Sequence, residues 1–190
     1  MKSGLPHLSF DAIAVEAGIS RQLVRYYFSN AEDLMVELCD TLADRYRLAL
    51  SENATRLDGP QRLSMFLNFY FDLLDGAAKP QDDQVYDAMM SLAAGSVRIR
   101  NNLRGQYTLL GQVLCHEFRV AHPSLSLRAC EELSYGFVCI MYGHWKMVAS
   151  LGVSPAHNRV ARCAMDRLIL GYSLEGATNG NPVTIWSSDT

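Results

Sequence analysis

Residues 9–34, SFDAIAVEAGISRQLVRYYFSNAEDL, constrain this chain more than any other stretch. Two serines, Ser9 and Ser20, each stand just before a short apolar-periodic run, where a hydroxyl can accept a hydrogen bond from a free helix N–H. Between the runs lies Gly18, which reaches positive φ without strain and so ends the first helix. Phe10, Ile13 and Ala14 fall on one helical face. Ile19 follows the glycine as an apolar plug. In the second helix Leu23, Val24 and Tyr27 point inward, while Arg21, Gln22, Arg25 and Tyr26 face outward. Phe28 closes that helix, and Asn30 with Asp33 caps a long third one. This is a helix-turn-helix, a shape that lays one helix into the major groove of DNA.

The outward side chains suit that task. Arginine pairs bidentately with guanine, glutamine with adenine, and tyrosine reaches a phosphate. Residues 20–28 hold two arginines and no acids, but residues 1–50 carry five Lys or Arg against seven Asp or Glu. The net charge of the 190 residues is −3. Such a chain does not coat nucleic acid, so any DNA contact is local. Taken by themselves, residues 9–28 also fit an ordinary helical hairpin with a solvated basic face.

The rest of the chain reads as helix throughout. Breaks at residues 58–60, 76–80, 95–96, 122–123 and 152–155 divide it into helices near 31–56, 60–75, 82–94, 97–121, 125–151 and 155–175. The helix from residue 31 has apolar positions 34, 35, 38, 42, 46 and 50, and it leaves the helix-turn-helix without a linker. Asp82 and Asp83 suit the dipole of a helix start. The tail 178–190 is polar apart from Val183, Ile185 and Trp186, and is expected on the surface or docked as an arm. Hydrophobic residues make up 49% of the chain, enough for a sizeable core. Charged residues make up 19%, which leaves apolar surface for a partner to cover.

The five cysteines are scattered and form no C-x-x-C pair, which suggests buried, reduced thiols and a cytoplasmic setting. The start MKSGLPHLSF lacks the apolar segment of a signal peptide. No uncharged apolar run reaches the roughly 18 residues of a membrane span.

The run from Ser9 to Ser20, then Leu23-Val24-Arg25-Tyr26-Tyr27-Phe28, then Glu32-Asp33-Leu34, resembles the TetR family of repressors. Its marks are an I-A-x-x-A-G-[VI]-S turn, an aromatic Y-x-F end to the recognition helix, and a capped step into a long helix. The likeness covers about residues 4–46. It implies an all-α homodimer: an N-terminal helix-turn-helix DNA-binding domain (1–46) joined by a long helix to a helical ligand-binding and dimerisation domain (47–177). By position it implies DNA contacts from Ser20, Arg21, Gln22, Arg25, Tyr26 and Tyr27, the last shared with the core, as is Phe28. Two departures stand out. Ala31 replaces the cation usual at the start of the long helix. The family also has a helix before the turn at Gly4, where this chain has three residues. Without it Phe10, Ile13, Leu23 and Tyr27 lose apolar cover worth about 1.5–3 kcal/mol each. About twenty further residues are therefore expected ahead of Met1.

The C-terminal half should hold an effector pocket, apolar with a few polar anchors. Candidates on inward faces are Asn68, Tyr70, Tyr86, Met89, Tyr107, Gly111, Cys115, Cys139, Tyr142 and Trp145. Ordinary core packing also accounts for each of them. Gly136 and Gly143 fall on one side of helix 125–151, and Val160, Ala164, Leu168 and Gly171 share a face of helix 155–175. These two helices fit a four-helix dimer interface, or else the last of the monomer's own core. The expected partners are thus a palindromic double-stranded operator, a small apolar or aromatic effector and a second copy of the chain, with no membrane, cofactor or metal.

A thiol- or metal-responsive sensor on the same scaffold would draw on Cys115, His116, Cys130, Cys139 and His144, although Cys139 and His144 are poorly placed for one helix face. Enzyme chemistry finds no support: the chain has no nucleophile elbow, phosphate loop or H-E-x-x-H motif.

Overall fold

The computed structural model describes residues 9–54, 57–76, 80, 83–175 and 185–187. Within them every regular element is helical. Gly4, Asp82 and Val183, which entered the sequence reading, lie outside the described residues, as does the side chain of Asp83.

The first helices end where their caps dictate. Ser9 Oγ accepts the Ala12 N–H at 3.1 Å and opens α1 (Phe10–Ala17). Gly18 closes α1 at φ 65°, and the N–H groups of Gly18 and Ile19 return to the carbonyls of Val15 and Ala14. Ser20 Oγ then accepts the Leu23 N–H at 3.1 Å to open α2 (Arg21–Tyr27). Asn30 Oδ1 accepts the Asp33 N–H at 2.9 Å at the head of α3 (Ala31–Ala54). The buried stripe of α3 is Met35, Cys39, Leu42, Tyr46 and Leu50. Cys39 thus takes the place expected of Leu38, which is only half-buried.

Four further helices follow α3: α4 (Gly59–Tyr70), α5 (Asp83–Ala93), α6 (Val97–Ala121) and α7 (Leu127–Ala149). A 3-10 turn, Pro155–His157, leads into α8 (Asn158–Glu175). α4 stops five residues short of the expected 75. Phe71 and Leu74 keep helical spacing, but Asp72 turns to φ 52°, and the Leu73 N–H reaches back to the Asn68 carbonyl at 2.9 Å. A short acidic side chain tolerates that left-handed conformation better than most. α7 starts at Leu127 rather than 125, because Ser126 is its cap.

The chain divides into two compact units: residues Met1–Asp44 with Asp82–Arg104, and Arg45–Gln81 with Gly105–Thr190. In the first, Cys39 Sγ lies 3.1 Å from Met89 Sδ, Asn102 donates to Asp40 at 2.9 Å, and Arg98 pairs with Asp33. In the second, Phe69, Phe71, Phe118 and Phe137 are fully buried. Arg62 Nε donates to the buried Glu117 at 2.7 Å. Arg128 and the Tyr172 hydroxyl both donate to Glu132, which ties α7 to α8. Among the described residues no helix is long and apolar enough to cross a membrane.

Candidate nucleic-acid interface and ligand cavity

In the first unit α1 and α2 pack with Ala14 and Val24 as their buried residues. Seven- and eight-residue helices can close only one narrow face, so Phe10 and Ile13 are half-buried and the apolar positions beyond them are open. Leu23 is 42% exposed, and Tyr27, expected to point inward, is 68% exposed. Tyr26 is more exposed still and meets Tyr27 edge-on at 5.3 Å. Gln22 and Arg25 stand exposed beside them. Arg21 pairs with Asp11 at 3.1 Å, both more than half exposed. A surface pair of that kind contributes about 1 kcal/mol at most, so the guanidinium can exchange it for a phosphate. The Ser20 hydroxyl is committed to its cap. The surface of α2 therefore presents an amide, a guanidinium and two phenols side by side, with no acid among them.

The second unit brings together some of the expected effector residues and separates others. Tyr70 is fully enclosed: it stacks on Tyr46 at 5.9 Å and lies 6.0 Å from Trp145, whose Nε1 donates to the Tyr70 carbonyl at 2.8 Å. Burial pushes the Tyr70 hydroxyl well above the usual phenol range. Phe137 and Phe71 extend the same cluster. Asn68 accepts from Arg162 Nε at 3.0 Å. Asn68 and the Trp145 indole N–H thus already have partners. Tyr107 and Tyr142 are half-buried. Tyr86 and Met89 are buried in the first unit rather than in this one. Cys139, expected on an inward face, is exposed.

Gly111 has a different role from the expected one. The ring of Trp186 lies where its Cβ would be. Trp186 Nε1 donates to Ser134 Oγ at 2.7 Å, Gln112 donates to the Trp186 carbonyl at 2.9 Å, and Tyr135 flanks the ring at 5.8 Å. The tail thus docks through this residue. Beside it lies a cavity of about 270 Å³ lined by Gln112, Cys115, His116, Arg119, Glu131, Trp186 and Ser187. Gln112, Arg119 and Glu131 gave no signal in sequence, because their side chains converge only once α6, α7 and the tail are assembled. The one available hint was a glycine kept inside a helix, where alanine is favoured by about 1 kcal/mol.

The thiols differ sharply among themselves. Burial pushes Cys39 and Cys130 up to about 11, and Cys115 is raised by the same cause, with Glu131 adding to it. Cys139 and Cys163 are exposed. Since the thiolate is the reactive form, a thiol-specific disulfide reagent at neutral pH should titrate two of the five cysteines quickly. Cys39 and Cys130, which are fully enclosed, should react only on unfolding, and Cys115, on the cavity wall, more slowly than the exposed pair. His144 bonds Asn158 at 2.8 Å and packs on Phe71. Among the described residues no three of His, Cys, Asp or Glu converge as metal ligands would.

α7 and α8 each keep an apolar face uncovered. Tyr135, Met147 and Leu151 are exposed along or just beyond α7, and Val160, Leu170 and Leu174 along α8. A Cβ added at Gly136, Gly143 or Gly171 would meet open space.

No family model matches the sequence, and no curated protein matches it. Two solved structures do resemble this chain. A TetR transcription regulator from Haloarcula marismortui ATCC 43049 aligns at TM-score 0.76 and 17% identity over 88% of each chain. The chain has the fold of TetR transcription regulators. A TetR transcriptional regulator from Legionella pneumophila aligns at TM-score 0.66 and 19% identity, covering 85% of this chain and 86% of that one. The TetR fold confirms the all-helical architecture expected from the periodicity and from the turn motif.

Proposed function

We propose that this chain is a ligand-responsive DNA-binding transcriptional regulator and not an enzyme: a cytoplasmic repressor that leaves its operator when a small effector binds. One observation carries the reading: a serine-capped, glycine-turned helix pair whose second helix exposes Gln22, Arg25 and Tyr26 with no acid beside them. On this reading the functional domains are 1–46 and 47–177, with Ser20, Arg21 and Tyr27 as backbone-side neighbours of the base-reading residues. The uncovered apolar faces of α7 and α8 support a homodimer. A two-fold pair would hold its reading helices about 34–36 Å apart, one turn of DNA. An apolar or aromatic effector has its best anchors in Asn68, Tyr70, Tyr107, Tyr142 and Trp145. It would have to open the Tyr70–Trp145 contact, and it would release DNA by binding the non-fitting state more tightly. A thiol- or metal-responsive variant of this reading has less support: burial holds Cys39 and Cys130 protonated, and among the described residues no three metal-ligating side chains converge.

Selection of random duplexes by the full chain at low salt tests the reading. The expected product is a palindromic site with half-sites about 10 base pairs apart, centre to centre. Recovery of no sequence above background would overturn it.

A further inference from the structure

We propose that the cavity beneath Trp186 binds a small zwitterion, an α-amino acid or a compound with the same pairing of ammonium and carboxylate. The proposal concerns binding alone and stands apart from the reading of α2 as a DNA-contacting helix.

The argument starts from Glu131. Its Oε2 is buried and has no hydrogen-bond partner. An acceptor left in that condition is costly, and more so when it is charged. It calls for a donor, ideally a cationic one, and a charge-assisted hydrogen bond is the strong kind. Arg119 lines the same cavity but is not that donor. Both groups nevertheless act on the Cys115 thiol: Glu131 raises its pKa and Arg119 lowers it. Two opposite charges thus share one small space without neutralising each other.

That arrangement selects by charge pattern. A simple amine would satisfy Glu131 but face Arg119. A simple carboxylate would pair with Arg119 but face Glu131. A molecule carrying both signs meets both groups, with its carboxylate on the guanidinium fork and its ammonium on the Glu131 carboxylate, once that side chain turns its buried oxygen toward the cavity it lines. The volume, about 270 Å³, lies just below the usual range for drug-sized ligands and suits a compound of a few heavy atoms. Trp186 supplies an aromatic wall suited to an ammonium group. It is fixed there by the Gly111 notch and by its hydrogen bonds to Ser134 and Gln112. Gln112, His116 and Ser187 offer further polar contacts.

Titration calorimetry on the full chain, with the twenty common amino acids at up to about 10 mM, tests this against a millimolar threshold. Alaninamide and propionate serve as single-charge controls for alanine. At least one amino acid should bind saturably, and its amide and its deaminated acid should bind at least about tenfold more weakly. Glu131→Gln and Arg119→Gln should each lose about tenfold or more. Binding should also perturb Trp186 fluorescence, read as the difference between the native chain and Trp186→Phe. Glu131→Gln keeps the shape of the site, Arg119→Gln shortens one wall of it, and melting curves report whether both variants fold. Absence of saturable binding by every amino acid would overturn the proposal. So would equal binding of the single-charge controls, or undiminished binding by a folded Glu131→Gln variant.

Discussion

Replacing Phe137 with alanine should destabilise the chain by about 3–5 kcal/mol, the usual cost of removing a buried ring from a core that cannot collapse around the gap. Phe137 is fully buried. It meets Tyr70 at 5.7 Å and Phe71 at 5.6 Å, and those rings reach Tyr46, Trp145 and His144 in turn. Removing it takes one ring contact each from Tyr70 and Phe71, and rigid rings held by their other partners do not move in to fill the space. For a protein of this size the loss corresponds to a fall in melting temperature of roughly 6–20 °C. The measurement is a thermal melt at one fixed protein concentration, because any self-association makes the midpoint concentration-dependent. Phe137→Leu retains most of the volume and should lose much less. A melting point for Phe137→Ala within about 2 °C of the native value would show that the ring cluster is not the core of the second unit.

Replacing Gln22 and Arg25 together with alanine should abolish sequence-specific DNA binding while leaving the fold intact. Both are exposed on α2, so their loss removes no core contact. Val24, the buried residue between them, remains in place. Each bidentate base contact contributes about 1–3 kcal/mol of discrimination. The pair should therefore lose roughly 30- to 20,000-fold against the selected site, with little change on random duplex. Arg21→Ala should behave differently: if it exchanges Asp11 for a phosphate, it weakens all sequences alike and shallows the salt dependence. Fluorescence anisotropy at two salt concentrations separates the cases. An unchanged affinity of the double variant for the selected site would remove α2 from the reading surface.

Much of the fold was legible because its boundaries are local. Ser9, Ser20 and Asn30 each accept an N–H three residues ahead, and Gly18 folds the chain back within one turn. The break at residues 95–96 marks the start of α6, where Ser96 Oγ accepts the Ile99 N–H in the same way. The errors fall where local spacing and tertiary packing disagree. α4 was read through to residue 75 because Phe71 and Leu74 keep the helical period, whereas Asp72 breaks the helix and turns Phe71 into the core. Spacing alone points Tyr27 inward, but α1 offers no second face to receive it, and it is exposed.

By itself, then, the sequence determined the elements and the character of their ends, since caps and turns are hydrogen bonds between residues three or four apart. It also determined the exposed polar set of α2, because a helix this short has one inner position to spend on Val24. Only the tertiary structure decided that Gly111 is a notch for Trp186 and that Ser134 receives the indole N–H from 52 residues away. It likewise decided that Trp145 is satisfied by a carbonyl 75 residues distant, and that Glu131 is left with a buried oxygen and no donor. Such pairings depend on which helix faces lie opposite one another. That is settled by how the whole set of apolar stripes buries itself, and no spacing along a single helix encodes it.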